Sequence, residues 1–169
     1  MSKTLVVYFS NFKSRAGEVA HKIALGVQGD LYEIKTTKLF YQGHLNRDGV
    51  HKESKVPIVH DIVDFSPYNP IYIVGETCGK YVIGPVRTWM EQNKTALVGH
   101  DKNFVYVIVG KNSKRALDSM KKIFGEPTDT LYVDKFEYPL DPQTLLSSNE
   151  QVSHKKEGFK AKIQHFIHS

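Results

Sequence analysis

Thr4-Leu5-Val6-Val7-Tyr8-Phe9, then Ser10-Asn11-Phe12-Lys13-Ser14-Arg15-Ala16, then Val19, Ala20, Ile23, Ala24 and Val27 is the stretch that decides the fold. The first six residues form an almost unbroken apolar run rich in β-branched and aromatic side chains. Strands covered on both faces read this way, and such strands belong to parallel sheets. The next seven are polar and then basic, which predicts a loop. The last five fall at helical spacing on one face, and Gly29 supplies the stop. Strand, polar loop and amphipathic helix together make the opening half of a βαβ unit.

The rest of the chain repeats that alternation. Leu31 to Lys35 predicts a second strand whose mixed polarity suits a place near a sheet edge. Ile71-Tyr72-Ile73-Val74 predicts a third, with a loop from Gly75 to Ile83. Gly84-Pro85 opens a helix with proline where its missing N–H costs little. Val86, Trp89 and Met90 form its inner face, and Trp89 is expected in the core. Phe104 to Val109 is the most apolar strand and should be central. A helix carrying Ala116, Leu117, Met120, Ile123 and Phe124 follows, with Ser113 as its cap. Thr130 to Val133 predicts a fifth strand, and a last helix is expected to bury Phe159, Ile163, Phe166 and Ile167. Residues 57–69 fit a short helix or an extended segment. Residues 36–56 and 134–148 are expected to be excursions from the core.

A single domain of the α/β class is therefore expected over residues 1–169, with a doubly wound open sheet of five strands. In such sheets ligands sit outside the carboxyl ends of the strands, at the switch point. Functional residues are expected in three loops: Ser10–Ala16, Gly75–Ile83 and Gly110–Ser113.

Composition narrows the function. Lys and Arg number 23 against 18 Asp and Glu, a net charge of +5. No apolar run is long enough to span a bilayer, which takes roughly 20 residues. Cys78 is the only cysteine, which excludes an internal disulfide and any multi-cysteine metal site. His44, His51 and His60 match no ordinary zinc spacing, so no metal is expected. There is no nucleophile–base triad and no pair of carboxylates for acid–base work. Dispersed basic residues without a recognition motif argue against a specific nucleic-acid role. Met1-Ser2-Lys3-Thr4 runs straight into the first strand without the zones of a secretion signal, so a cytoplasmic location is expected.

Four segments carry a resemblance to the flavodoxin family. Lys3 to Ser10, running into Glu18-Val19-Ala20 and Ile23-Ala24, resembles the family's first strand, phosphate loop and helix. Asp30 to Ile34 resembles its second strand. Tyr68-Asn69-Pro70-Ile71-Tyr72-Ile73-Val74-Gly75 resembles its third, where the family usually has Tyr-Asp and an apolar run ending in Gly. Cys78-Gly79-Lys80-Tyr81 with Gly84-Pro85-Val86-Arg87-Thr88-Trp89 resembles the flavin-flanking loop and the helix after it. That last stretch is most similar to flavodoxin-domain enzymes such as the menaquinone-dependent protoporphyrinogen dehydrogenases.

The resemblance implies a flavodoxin-like three-layer sandwich with a parallel sheet of order 2-1-3-4-5. It also implies FMN as cofactor and electron transfer, or reduction of a small acceptor such as a quinone. The implied contacts are Ser10, Asn11, Phe12, Lys13, Ser14, Arg15 and Ala16 around the phosphate, Thr77, Cys78, Gly79, Lys80 and Tyr81 beside the ring, and Gly110, Lys111 and Asn112 at its edge. The first loop departs from the family pattern Ser/Thr-x-Thr-Gly-x-Thr: its hydroxyls are missing and its glycine is Ser14. A helix N-terminus still offers free N–H groups and a partial positive charge. Lys13 and Arg15 would add full charges, and charge-assisted hydrogen bonds are about twice as strong as neutral ones. The same residues also suit a vestigial, solvated loop or a site for another anion. A chain that has lost FMN and serves as a binding module is the competing function.

Tyr81 is either a stacking partner for a flat ring or a cap on the sheet edge. Gly79 suits close approach or positive φ. Cys78 reads as a small residue near the ligand rather than a reactive thiol. Lys111, Lys114, Arg115, Lys121 and Lys122 cluster around the fourth helix as a solvated face or a surface for an anionic partner. Family members that shuttle electrons are typically acidic and dock on basic proteins. This chain's positive charge implies the reverse, an acidic or anionic redox partner.

Overall fold

The computed structural model describes residues 1–10, 15–37, 56–79, 81–111 and 113–133. Residues 38–55 of the excursion expected over 36–56, the excursion expected at 134–148 and the helix expected over 159–167 lie outside them. The described elements are β1 (Lys3–Tyr8), α1 (Ala16–Val27), β2 (Asp30–Glu33), β3 (Tyr68–Cys78), β4 (Tyr81–Val82), α2 (Gly84–Leu97), β5 (Phe104–Val109), α3 (Ser113–Phe124) and β6 (Asp129–Val133).

Five strands run parallel in the order β2-β1-β3-β5-β6, and the short β4 pairs antiparallel with β3 off that path. The order matches the expectation once β4 is set aside, and β4 is the difference: the sheet has six strands. The chain leaves β1 to one side for β2 and crosses to the other side for β3. The switch point therefore lies at the carboxyl ends of β1 and β3, as the topology rule requires.

The side-chain period of two divides the sheet's residues between two cores. Leu5, Val7, Ile71, Ile73, Tyr106 and Ile108 point to one face, where α2 and α3 bring Val86, Trp89, Met90, Ala116 and Met120. Val6, Tyr8, Tyr72, Val74, Val105 and Val107 point to the other, where α1 brings Ala16, Val19, Ala20 and Ile23. Trp89 is 1% exposed, as expected of a core residue. Its ring lies 5.9 Å from Phe65, 6.1 Å from Tyr32 and 6.3 Å from Phe124. Tyr106, buried in the central strand, satisfies its hydroxyl by donating to the Gly125 carbonyl at 2.9 Å.

The described part of the ambiguous 57–69 region is extended. Thr36 and Ile58 form an antiparallel bridge, and the Val59 amide donates to the Lys35 carbonyl at 2.7 Å. Ile58 joins the core while Ile62 is almost wholly exposed, so these two do not share an apolar helix face. At the amino end of the sheet, Lys102 Nζ donates to the carbonyls of Phe65 (2.9 Å), Ser66 (3.1 Å) and Tyr68 (2.9 Å). One ammonium with three donors thus ties the turn before β3 to the start of β5.

Candidate functional site

The two described ends of the first of the three loops lie close together. Phe9 is buried, Ser10 is half-buried, and the chain re-enters described structure at the exposed Arg15. Arg15 is the N-cap of α1, with φ −96° and ψ −6°, and its side chain makes no capping bond. Ala16 and Gly17, the first two helical residues, are buried. A Cβ on Gly17 would stand 2.8 Å from Ser10 Oγ and 3.1 Å from Ser10 Cβ. The missing side chain of Gly17 lets the helix's first turn sit close against Ser10 at the strand exit, and we call this junction the cradle. The acid in that turn, Glu18, is paired with Lys22 at 3.2 Å. His21 Nδ1 lies 2.7 Å from the Gly17 carbonyl, and its ring stands edge-on to Tyr8 with centroids 5.6 Å apart.

The second loop corrects the expectation. Gly75–Ile83 is not a loop: β3 runs on to Cys78 and returns as β4, with Thr77 opposite Val82 and Cys78 opposite Tyr81. In the sequence two residues separate Cys78 from Tyr81, of which Gly79 is described. Two-residue hairpin connections favour positive φ at their first position, and Gly79 has φ +60°. The hairpin is tied to its surroundings on both sides. The Val82 amide donates to Ser119 Oγ at 3.3 Å, and Arg87 Nε donates to the Val82 carbonyl at 2.9 Å. The Arg87 guanidinium carbon lies 5.2 Å from the centroid of the half-buried Tyr81 ring. Burial first, and then the charge of Glu76, push the Cys78 thiol up, with Arg87 opposing. A thiol held in its protonated form is a poor nucleophile, which agrees with reading Cys78 as a small residue rather than a reactive one.

The third loop leaves β5 through Gly110, with φ +113°, and its amide donates to the Val133 carbonyl at 2.8 Å. A Cβ there would collide with Thr77 Oγ1, so the ends of β3 and β5 are in direct contact.

Strand register brings the three loops together, since Tyr8 pairs with Val74 and Glu76 with Val109. Ser10, Arg15, Ala16, Thr77, Cys78, Gly79, Tyr81, Gly110 and the exposed Lys111 therefore share the carboxyl edge of three adjacent strands. Asn11, Phe12, Lys13, Ser14, Lys80 and Asn112 lie outside the described residues. Two residues escaped the sequence reading. Gly17 was detectable as a glycine between the predicted loop and the predicted helix, a place where a close backbone approach is common. Arg87 was detectable as a cation in a helix's first turn. Among the described residues no group of three or more His, Cys, Asp or Glu could hold a metal, and no helix is long and apolar enough to cross a membrane.

The fold is flavodoxin-like. A candidate flavoprotein from Bacteroides eggerthii has a similar structure, with a TM-score of 0.72 at 16% identity over 92% of this chain and 100% of that one. A second, from Bacteroides uniformis, gives 0.70 at 18% identity over 88% and 98%. A flavoprotein from Lactobacillus acidophilus, solved in complex with FMN, gives 0.59 at 19% identity over 90% and 99%. No protein-family model matches the sequence, and neither does any curated protein.

Proposed function

We propose that this chain is an FMN-binding redox protein that passes electrons to a partner protein or reduces a small acceptor such as a quinone. The observation that carries the proposal is the glycine-closed cradle between Ser10 and Gly17, at the amino end of α1 and beside the ends of β3 and β5. A phosphate dianion needs several donors and a positive field. The helix terminus supplies backbone N–H groups and a partial charge, and Arg15 at the N-cap adds a full one. FMN, when bound, supplies the electron or hydride chemistry itself.

The chain's own residues then bind and orient. Ser10, Arg15 and Ala16, with Asn11 to Ser14 between them, hold the phosphate. Tyr81 offers a flat apolar surface for the ring, and Gly79 and Gly110 let backbone come close to it. No general acid, base or nucleophile is required of the protein. The fit to FMN rests on this donor set and is supported by the FMN complex of the Lactobacillus acidophilus protein.

The partner follows from charge. Lys111, Lys114 and Arg115 are exposed beside the third loop, and the first turn of α3 holds no acid. An acidic protein or anionic acceptor is favoured at such a surface, with association that weakens as salt rises.

Titration of the apo protein with FMN tests the proposal, followed by the same titration of Lys13→Ala/Arg15→Ala. The wild type is expected to bind FMN and turn yellow. The double variant should lose roughly 1.5–3 kcal/mol for each charged hydrogen bond removed, with riboflavin affinity almost unchanged. A wild type that ignores FMN at tens of micromolar overturns the redox function and leaves a flavodoxin-fold binding module. Equal losses for FMN and riboflavin overturn the phosphate assignment.

A further inference from the structure

Arg87 stands where elementary physics disfavours a cation. It is only 8% exposed, and its contacts include a backbone carbonyl and an aromatic face. It is also the fourth residue of α2, whose first turn contains no acid, so its charge opposes the helix dipole. Burying a charge in such a place is unfavourable unless specific contacts offset it. Two of its contacts fall on the hairpin: Nε on the Val82 carbonyl, and the guanidinium 5.2 Å from the centre of the Tyr81 ring.

We infer that Arg87 is a positioning residue, which fixes the plane of Tyr81 and polarises its ring so that a flat redox ring stacked on the opposite face becomes easier to reduce. This rests on the proposed FMN function and adds a determinant of the flavin's potential. The cation withdraws electron density through the face of Tyr81 that it covers. A ring system on the other face gains electron density when reduced, and that gain is better tolerated against a polarised tyrosine. Oxidised FMN should feel the arginine little and reduced FMN more, so the difference appears in potential and not in oxidised-state affinity. Glu76, which opposes Arg87 electrostatically at the Cys78 sulfur, should act with the opposite sign.

The test is the midpoint potential of FMN bound to the full chain, by titration against a reference dye, for wild type, Arg87→Gln, Arg87→Lys, Glu76→Gln and Tyr81→Leu, and for Arg87→Gln in the Tyr81→Leu background. Arg87→Gln should weaken reduced FMN relative to oxidised FMN by on the order of tenfold, about 30 mV downward for a two-electron couple. Arg87→Lys keeps the charge without the fork and should restore part of the shift. Glu76→Gln should move the potential upward. In the Tyr81→Leu background Arg87→Gln should change little, because the effect runs through the ring. A merely structural role for Arg87 would lower affinity for both redox states together and leave the potential alone. Unchanged potentials with FMN bound overturn the inference and spare the proposed function. A full shift that persists without the Tyr81 ring overturns the route through it. A wild type that does not bind FMN removes the proposed function and this inference with it. If Arg87→Gln does not fold, the comparison of wild type with Arg87→Lys and Glu76→Gln decides: two unchanged potentials there overturn the inference.

Discussion

Gly75→Ala should strain the hairpin that carries Tyr81, and adding Val82→Ala should cost little more because it removes that strain. Gly75 is buried in β3 directly beneath β4. A Cβ on it would overlap Val82 Cγ2 and stand 3.4 Å from the Met120 sulfur. Overpacking of this kind costs about 1–3 kcal/mol, against a gain of about 0.5–1 kcal/mol from replacing glycine inside a strand. A net loss of about 1–2 kcal/mol is expected for Gly75→Ala. Val82 is completely buried, so Val82→Ala removes two methyl groups from the core and should cost about 2 kcal/mol with its cavity term. In the double variant the overlapping methyl is gone, and the remaining Val82 Cβ would lie 3.5 Å from the new one, an ordinary contact. The new alanine also refills part of the cavity. The double variant should therefore lose only about 1–2 kcal/mol, less than the sum of the singles by 1.5 kcal/mol or more. Urea unfolding followed by fluorescence of Trp89, the chain's single tryptophan, measures all four proteins. Additivity within about 0.5 kcal/mol would show that Gly75 and Val82 do not share this space, and the packing argument for the hairpin would be wrong.

Gly110→Ala should cost about 1–3 kcal/mol from positive φ alone, plus the collision with Thr77 Oγ1. Thr77→Ala should relieve only the collision, so full rescue in urea unfolding would contradict the backbone part. Lys102→Met strips three carbonyls of one ammonium and should cost about 2 kcal/mol, seen as a Tm lower by about 6 °C. No change would mean that the turn before β3 holds without it. The buried tyrosines set the alkaline limit. Burial, followed by the charge of Glu126, holds the Tyr106 hydroxyl far above its ordinary range, and burial raises Tyr72 and Tyr132 in the same direction. Above about pH 10 the unfolded chain releases these protons while the folded chain keeps them. Their stabilising contribution is thus complete below pH 10 and is lost as pH rises further. Urea stability should fall as pH rises above about 10, with a shallower fall in Tyr106→Phe, and a flat profile would contradict the assignment.

The strands were legible because their residues report burial on both faces. Phe104 to Val109 has no polar residue to place elsewhere, and all six are buried. Asp30 to Glu33 alternates poorly because it occupies the sheet edge. The hairpin was illegible for a physical reason. Gly75 reads as the end of a strand, since glycine usually weakens one, but here its missing side chain is the seat of Val82. The polar residues after it, Glu76 and Thr77, remain in the sheet because β4 and β5 supply their backbone partners. Helix starts were misjudged in the same way. Ala16 and Gly17 carry no amphipathic signal, yet they are helical and buried.

The site itself divides along that line. What makes the cradle and the hairpin is the absence of side chains, at Gly17, Gly75, Gly79 and Gly110, and glycine positions speak of geometry without naming a ligand. What would name a ligand is charge. The charged residues near the site are of two kinds. Arg15 and Lys111 are exposed, and surface cations are common enough on a chain of net charge +5 to carry little information. Arg87 is buried in the first turn of its own helix and lies against the Tyr81 ring, and that position is informative because few arginines are buried. The degenerate first loop weakens the case for a hydroxyl-lined phosphate site, but the close junction of Gly17 with Ser10 does not depend on those hydroxyls. If the chain binds FMN as proposed, its potential should therefore depend less on family hydroxyls at Asn11 to Ala16 than on the cation beside Tyr81.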